Sequence, residues 1–149
     1  MQFDSNNNIV KLCAQGMSLE GEGKKEEALM LFQQAWEEAT NDFEKFTSAH
    51  YVARHQKLIT DKLKWDETAL QLALKINDES MKENYPSLYL NIAKCHEELK
   101  DFEKAKTNYQ LALSFTKFLR DNSYGNLIKF GIANGIERMG SLEINHESC

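Results

Sequence analysis

The stretch Tyr89–Ala112, YLNIAKCHEELKDFEKAKTNYQLA, constrains the fold of this 149-residue chain more than any other part of it. Its apolar and small residues recur at helical spacing in two runs, which predicts two helices joined by a short turn. Short side chains at Ala93 and Ala105 let two helices approach closely, and the ring of Tyr109 fills the space beside them. The stretch therefore predicts one packed helical hairpin.

The same pattern recurs along the chain. Leu12 and Ala28 are separated by 16 positions, as are Tyr89 and Ala105 in the hairpin above. A second, looser copy carries about four extra residues between or within its helices. A last segment repeats only the first helix of the pattern. We therefore expect three helix pairs, over about residues 9–42, 46–79 and 86–119, and a capping helix over about 124–139.

Seven predicted helices favour an all-α fold, a short right-handed α-solenoid of three helix pairs plus the capping helix. About three such repeats are needed before each one buries its apolar face on a neighbour. The length suits a single domain over residues 1–149, in which Gly140 ends the last helix and residues 141–149 form a polar tail. Within that helix, Gly125, Gly131 and Gly135 predict close backbone contact, either with the preceding helix pair or with a ligand, because glycine inside a helix is otherwise unfavourable.

Composition excludes several classes of protein. A net charge of −5 with no basic run disfavours non-specific nucleic-acid binding, which needs a concentrated positive surface. The sequence contains no run of eighteen apolar residues, so we expect no membrane span. The start MQFDSNNNIV does not have the pattern of a secretory signal. Cys13, Cys95 and Cys149 are an odd count without metal-ligand spacing, which favours free thiols in a reducing cytoplasm.

The residue pattern does not favour catalysis or a cofactor. The sequence contains no glycine-rich phosphate loop, nucleophile elbow or dinucleotide-binding motif. His50 and His55 are five positions apart and share a helix face poorly, so we expect no metal site. Glu97 and Glu98 are adjacent and point in different directions from a helix, which is typical of a solvated face. We expect a protein that is not an enzyme.

The spacing over about residues 9–139 resembles the tetratricopeptide repeat family. The stretches HYVARHQ, YPSLYLNIAKCHEEL and YGNLIKFGIANGIERMG are similar to those of small bacterial members of that family. The resemblance implies a non-catalytic scaffold that binds peptides, helices or protein loops on a concave face lined by the first helix of each pair. Carried over by position, it implies a polar and cationic groove formed by His50, Tyr51, Arg54, Asn91, Lys94, Glu98 and Lys129, with Cys13, Met17, Lys57, Leu90, Ile128 and Ile132 along it.

Two functions are compatible with this groove. The first is a cytoplasmic adaptor for a protein or peptide segment, in which Arg54 and Lys94 bind an anionic group and Asn91 bonds the peptide backbone. The alternative is a regulatory or sensor module that binds a small anionic ligand in the same place. A third interpretation, that these side chains are only a solvated face, stays open. Apolar residues of the end helices either cap the array or form a homodimer: Val10, Leu12, Leu127, Ile128, Ile132 and Ile136.

Overall fold

The computed structural model describes residues 5–147 of the chain, with side chains described for residues 5–142. The described residues form helices and turns, which confirms the predicted all-helical fold. Short 3-10 helices cover Glu79–Asn84 and Thr116–Phe118. The α-helices of the described residues are α1 (Asn8–Gly21), α2 (Lys25–Glu38), α3 (Asp42–Ala53), α4 (Ile59–Lys75), α5 (Tyr85–Glu98), α6 (Phe102–Ser114) and α7 (Ser123–Glu147).

The helices group into two compact units, of which the first ends at Asp78 and the second begins at Glu79. In the first unit, α1 packs with α2 and α3 with α4, while α3 also contacts α2 and α1. In the second unit, α5 packs with α6, and α7 contacts both of them. Each unit thus contains at least one of the predicted helix pairs. The single domain over residues 1–149 stays a prediction.

The ring of Phe32 is the centre of the first unit. It is fully buried on α2, and its face stacks on the ring of Tyr51 from α3 with 4.9 Å between centroids. On its other neighbour, α1, the ring lies so close to Gly16 that a Cβ atom there would overlap it. Ala28 and Ala35 are fully buried on the same helix. The small residues of the repeat are therefore the positions where the ring and the helices need space.

The ring of Tyr109 has the same place in the second unit. It is fully buried on α6, and it lies against Gly135 of α7 so closely that a Cβ atom there would overlap it. Ala93 and Ala105 are fully buried, as the repeat predicts. Gly131 is half-buried, with Leu90 3.2 Å from where its Cβ would be. Of these two glycines, the tighter contact is therefore made by Gly135, one turn beyond Gly131.

Helix α3 is short because the backbone unwinds after Ala53. The next three amides bond to carbonyls three residues back, as with Gln56 and Ala53 at 3.3 Å, and this tighter turn takes up the extra residues of the second copy. Helix α6 ends at Ser114, and a 3-10 helix follows it.

The predicted stop at Gly140 and the polar tail over residues 141–149 were wrong. Helix α7 continues through Gly140 to Glu147, and residues 148 and 149, including Cys149, lie outside the described residues. Glycine ends a helix when it adopts a positive φ, and among the described glycines only Gly23, after α1, does so. Because Gly140 keeps a helical backbone and follows the buried Met139, the helix gains additional turns.

Two glycines of α7 provide a matched test of this packing. Gly135→Ala should lower the free energy of unfolding by about 1–3 kcal/mol, because the new methyl group forces the Tyr109 ring to move. The Cβ atom added by Gly140→Ala meets no atom within 4 Å. This substitution should raise the free energy of unfolding by about 0.5–1 kcal/mol, because alanine has the higher helix propensity. Urea titrations followed by circular dichroism measure both changes. Equal effects of the two substitutions would contradict the ring contact.

Candidate functional site

Three predicted site residues of the first unit lie together at the carboxyl end of α3: His50, Tyr51 and Arg54. Tyr51 stacks on Phe32, and its hydroxyl lies 3.1 Å from the sulfur of Met17, which is 48% exposed. The guanidinium of Arg54 lies over the Tyr51 ring, 4.6 Å from its centroid. Such cation–π stacking fixes a long side chain in one position. The result is an ordered platform of aromatic, thioether and guanidinium groups.

Glu20 of α1 is a neighbour of this platform that sequence reasoning missed. Its carboxylate accepts a hydrogen bond from Arg54 Nη2 at 3.0 Å and contacts His55 Nε2 at 2.6 Å. We expected Arg54 to be available to an anionic ligand. Its charge is instead partly neutralised within the unit, at a side chain that is 44% exposed.

His50 is half-buried and does not supply the positive charge expected of it. Its ring stacks on Phe46 at 6.2 Å and meets the edge of Tyr51 at 5.7 Å. Burial, assisted by the positive charges of Arg54 and Lys62, lowers the pKa of His50 from 6.5 to about 4. The ring is therefore neutral at pH 7. Its buried Nδ1 atom has no hydrogen-bond partner among the described residues.

In the second unit, Asn91, Lys94 and Glu98 lie at helical spacing on α5, and Lys129 lies on α7. Asn91 is half-buried, while the other three are exposed. The Asn91 side chain makes no hydrogen bond to another described residue. Lys129 likewise forms no ion pair with a described residue. These side chains keep their polar groups available on the surface of the unit.

Four apolar positions carried over from the family do not lie on an open surface. Their side chains are at most 9% exposed, so they belong to the cores of the units. The sequence shows a position in the repeat, but it does not show which neighbouring helix covers that position. The four buried residues are Cys13, Leu90, Ile128 and Ile132.

A polar cluster around Glu97 joins α5, α6 and α7. Arg138 donates two hydrogen bonds to the Glu97 carboxylate, at 2.8 and 3.0 Å, and the buried Tyr109 donates its hydroxyl to it at 2.6 Å. Bonding to Arg138 lowers the pKa of Glu97, whereas burial and the carboxylate raise that of Tyr109 to about 12. Glu97 is therefore part of the packing between helices. The expectation of a solvated face at this residue was wrong.

The comparisons with known proteins agree with this architecture. The family model of the tetratricopeptide repeat matches residues 86–117, which cover most of α5 and all of α6. Residues 86–117 therefore have the sequence pattern of one tetratricopeptide repeat. The crystal structure of PcrH from Pseudomonas aeruginosa has a similar fold, with a TM-score of 0.63 over 93% of this chain and 96% of that chain, at 16% identity. No curated protein matches the chain significantly.

The match to a tetratricopeptide repeat suggests a scaffold that binds protein partners. Among the helices of residues 5–147, none is both long and apolar enough to cross a membrane. Cys13 and Cys95 are both buried, and they are not joined in a disulfide. Burial raises the pKa of the Cys13 thiol to about 11, so this thiol is a packing group with little thiolate at neutral pH.

The carboxylate–arginine pairs of the two units occupy related positions in the helical pattern. Glu20 follows the buried Gly16 by four residues, and Glu97 follows the buried Ala93 by four. In each unit the carboxylate binds an arginine located on or just after the first helix of the following repeat. This shared offset was present in the sequence. It identifies both glutamates as structural acceptors, which sequence reasoning did not recognise.

The low pKa of His50 predicts a loss of stability in mild acid. The unfolded chain binds a proton at this residue near pH 6.5 and the folded chain only near pH 4, so unfolding is favoured as the pH falls between these values. The loss attributable to His50 should be up to about 3 kcal/mol. Urea titrations at pH 8 and at pH 5 should show a smaller difference for His50→Leu than for the wild type. An equal difference in both proteins would contradict a His50 ring that stays neutral in the folded protein.

The Glu97 cluster predicts a second acid-sensitive contribution at lower pH. Glu97→Gln should lower the free energy of unfolding at pH 7 by about 1 kcal/mol, because it weakens the bonds to Arg138 and Tyr109. Since the folded pKa of Glu97 is lowered, its contribution is complete above the ordinary carboxyl pKa and disappears as the pH falls through the folded value. The matched control is Glu98→Gln, which should leave stability unchanged.

Proposed function

We propose that this protein is a non-catalytic scaffold that binds a segment of a partner protein along the first helices of its repeats. The observation that carries the proposal is the polar surface of α5. There, the half-buried side-chain amide of Asn91 has no hydrogen bond to a described residue, and the exposed Lys94 is one turn away. An amide both donates and accepts hydrogen bonds, which suits the backbone of an extended peptide.

The platform on the first unit supports the same function. Tyr51 and Arg54 are held by stacking and by Glu20 before any partner arrives. A partner would therefore lose little side-chain entropy on contacting them. Met17 adds an exposed, adaptable apolar group beside them. Aromatic rings and arginine are common among the residues that dominate protein interfaces.

The charges favour a protein segment over a small anion as the ligand. Glu20 neutralises part of the Arg54 charge, and His50 is neutral at pH 7. In the second unit, Lys94 remains exposed and suits an acidic side chain of the bound segment. The proposed contact residues are those expected from the family: His50, Tyr51, Arg54, Asn91, Lys94, Glu98 and Lys129.

The test uses peptides selected on the wild-type protein from a phage-displayed random library. The double variant Asn91→Ala, Lys94→Ala should weaken binding of these peptides by about tenfold, because a backbone contact and a charged contact are lost. Fluorescence polarisation of the labelled peptides measures the affinity.

A matched double variant, Lys25→Ala, Gln33→Ala, removes the same two kinds of side chain from exposed positions on α2 and should bind as the wild type does. If both double variants bind equally well, the α5 surface is not the binding face. Circular dichroism of each variant establishes that the helices are intact.

A further inference from the structure

A surface pocket of about 600 Å³ lies in the second unit, between the end of α5, the start of α6 and residues 134–142 of α7. Its apolar wall includes Phe102 and Leu142, each 39% exposed. Leu142 contributes because α7 continues past Gly140. The pocket therefore depends on helical turns beyond the repeat pattern itself.

Part of the charge around the pocket is already neutralised. Arg138 and Glu97 both line it, and they bind each other through two hydrogen bonds at 2.8 and 3.0 Å. Their charges cancel, and their side chains are fixed by this contact and by the Tyr109 hydroxyl. This pair forms a rigid polar border and is not free to follow a ligand.

The remaining charges leave the pocket negative. Glu98 and Glu137 are exposed at its rim and form no ion pair with a described residue. Lys100 is the one positive group among the pocket residues outside the Arg138 pair. The carboxyl end of α5, at Glu98, adds the negative end of a helix dipole. Two carboxylates, one ammonium group and this dipole give a surface that favours a cation.

We propose that this pocket binds a partner segment in which an apolar side chain stands next to a lysine or arginine. The apolar side chain packs between Phe102 and Leu142, while the cation pairs with Glu98 and Glu137. Charged groups at the edge of an apolar contact select the partner more than they strengthen it. The inference extends the proposed function, since Glu98 belongs to both surfaces, and it adds a sequence preference in the partner.

The test uses three acetylated and amidated peptides in a glycine and serine background. One carries Leu next to Arg, the second has Glu in place of Arg, and the third has Ser in place of Leu. Amide chemical shifts of the labelled protein give the affinity and the location. The wild type should bind the first peptide at least about tenfold more tightly than the other two, with shifts at Asn134 and Ser141.

Two double variants separate charge from apolar contact. Glu98→Lys, Glu137→Lys should weaken binding of the Leu-Arg peptide about tenfold and favour the Leu-Glu peptide instead. Phe102→Ser, Leu142→Ser should weaken binding of both the Leu-Arg and the Leu-Glu peptide. The control Glu67→Lys, Glu103→Lys makes the same charge change at exposed positions outside this pocket. It should bind the three peptides in the same order of affinity as the wild type.

The failure of this inference is distinct from the failure of the proposed function. Asn91→Ala, Lys94→Ala removes one proposed backbone contact and one proposed charged contact but no pocket residue, so it should bind the Leu-Arg peptide as the wild type does. Wild-type protein that binds the Leu-Arg and Leu-Glu peptides equally, or shows no shifts at the pocket at millimolar peptide, would overturn the pocket's role. That result leaves the test of the α5 surface with library peptides unaffected.

Discussion

The contact between an aromatic ring and a glycine is the constraint on which the rest of each unit depends. Phe32 lies against Gly16, and Tyr109 lies against Gly135, in both cases at a distance that leaves no space for a methyl group. Protein interiors are packed so densely that such a site specifies one arrangement of the helices. Once the ring is in place, the small residues of its own helix face the neighbouring helices. The helix surfaces that this packing leaves exposed to solvent are available for binding.

The carboxylates beside these rings link packing to function. Glu20 and Glu97 accept hydrogen bonds from arginines on or just after a neighbouring helix, at distances of 2.8–3.0 Å. A carboxylate used in this way holds the helices and also reduces the charge that its arginine offers to a ligand. The same interaction that fixes Arg54 over Tyr51 therefore makes it a positioned contact group. It is a poor choice for a strong anion site.

The repeat pattern predicted the helix pairs because the spacing of small and aromatic residues reflects packing within one hairpin. Ala93, Ala105 and Tyr109 are fully buried as expected. The sequence did not predict the Glu97 cluster, since its arginine is 41 residues away and pairing requires knowing which helices are neighbours. It also misplaced the end of α7, because a glycine such as Gly140 is compatible with both a helical and a left-handed backbone.

The extra turns of α7 connect this misplaced helix end to binding. A repeat that ended at Met139 would leave Phe102 without Leu142 beside it, and the pocket of the second unit would lose one wall. The polar groups of the units then fall into two classes. Glu97 and Arg138 satisfy each other and stabilise the fold, whereas Asn91, Glu98 and Glu137 are not satisfied by a described residue. A polar group that is already paired within the protein contributes little to a new contact, so recognition should depend on the second class, Asn91, Glu98 and Glu137.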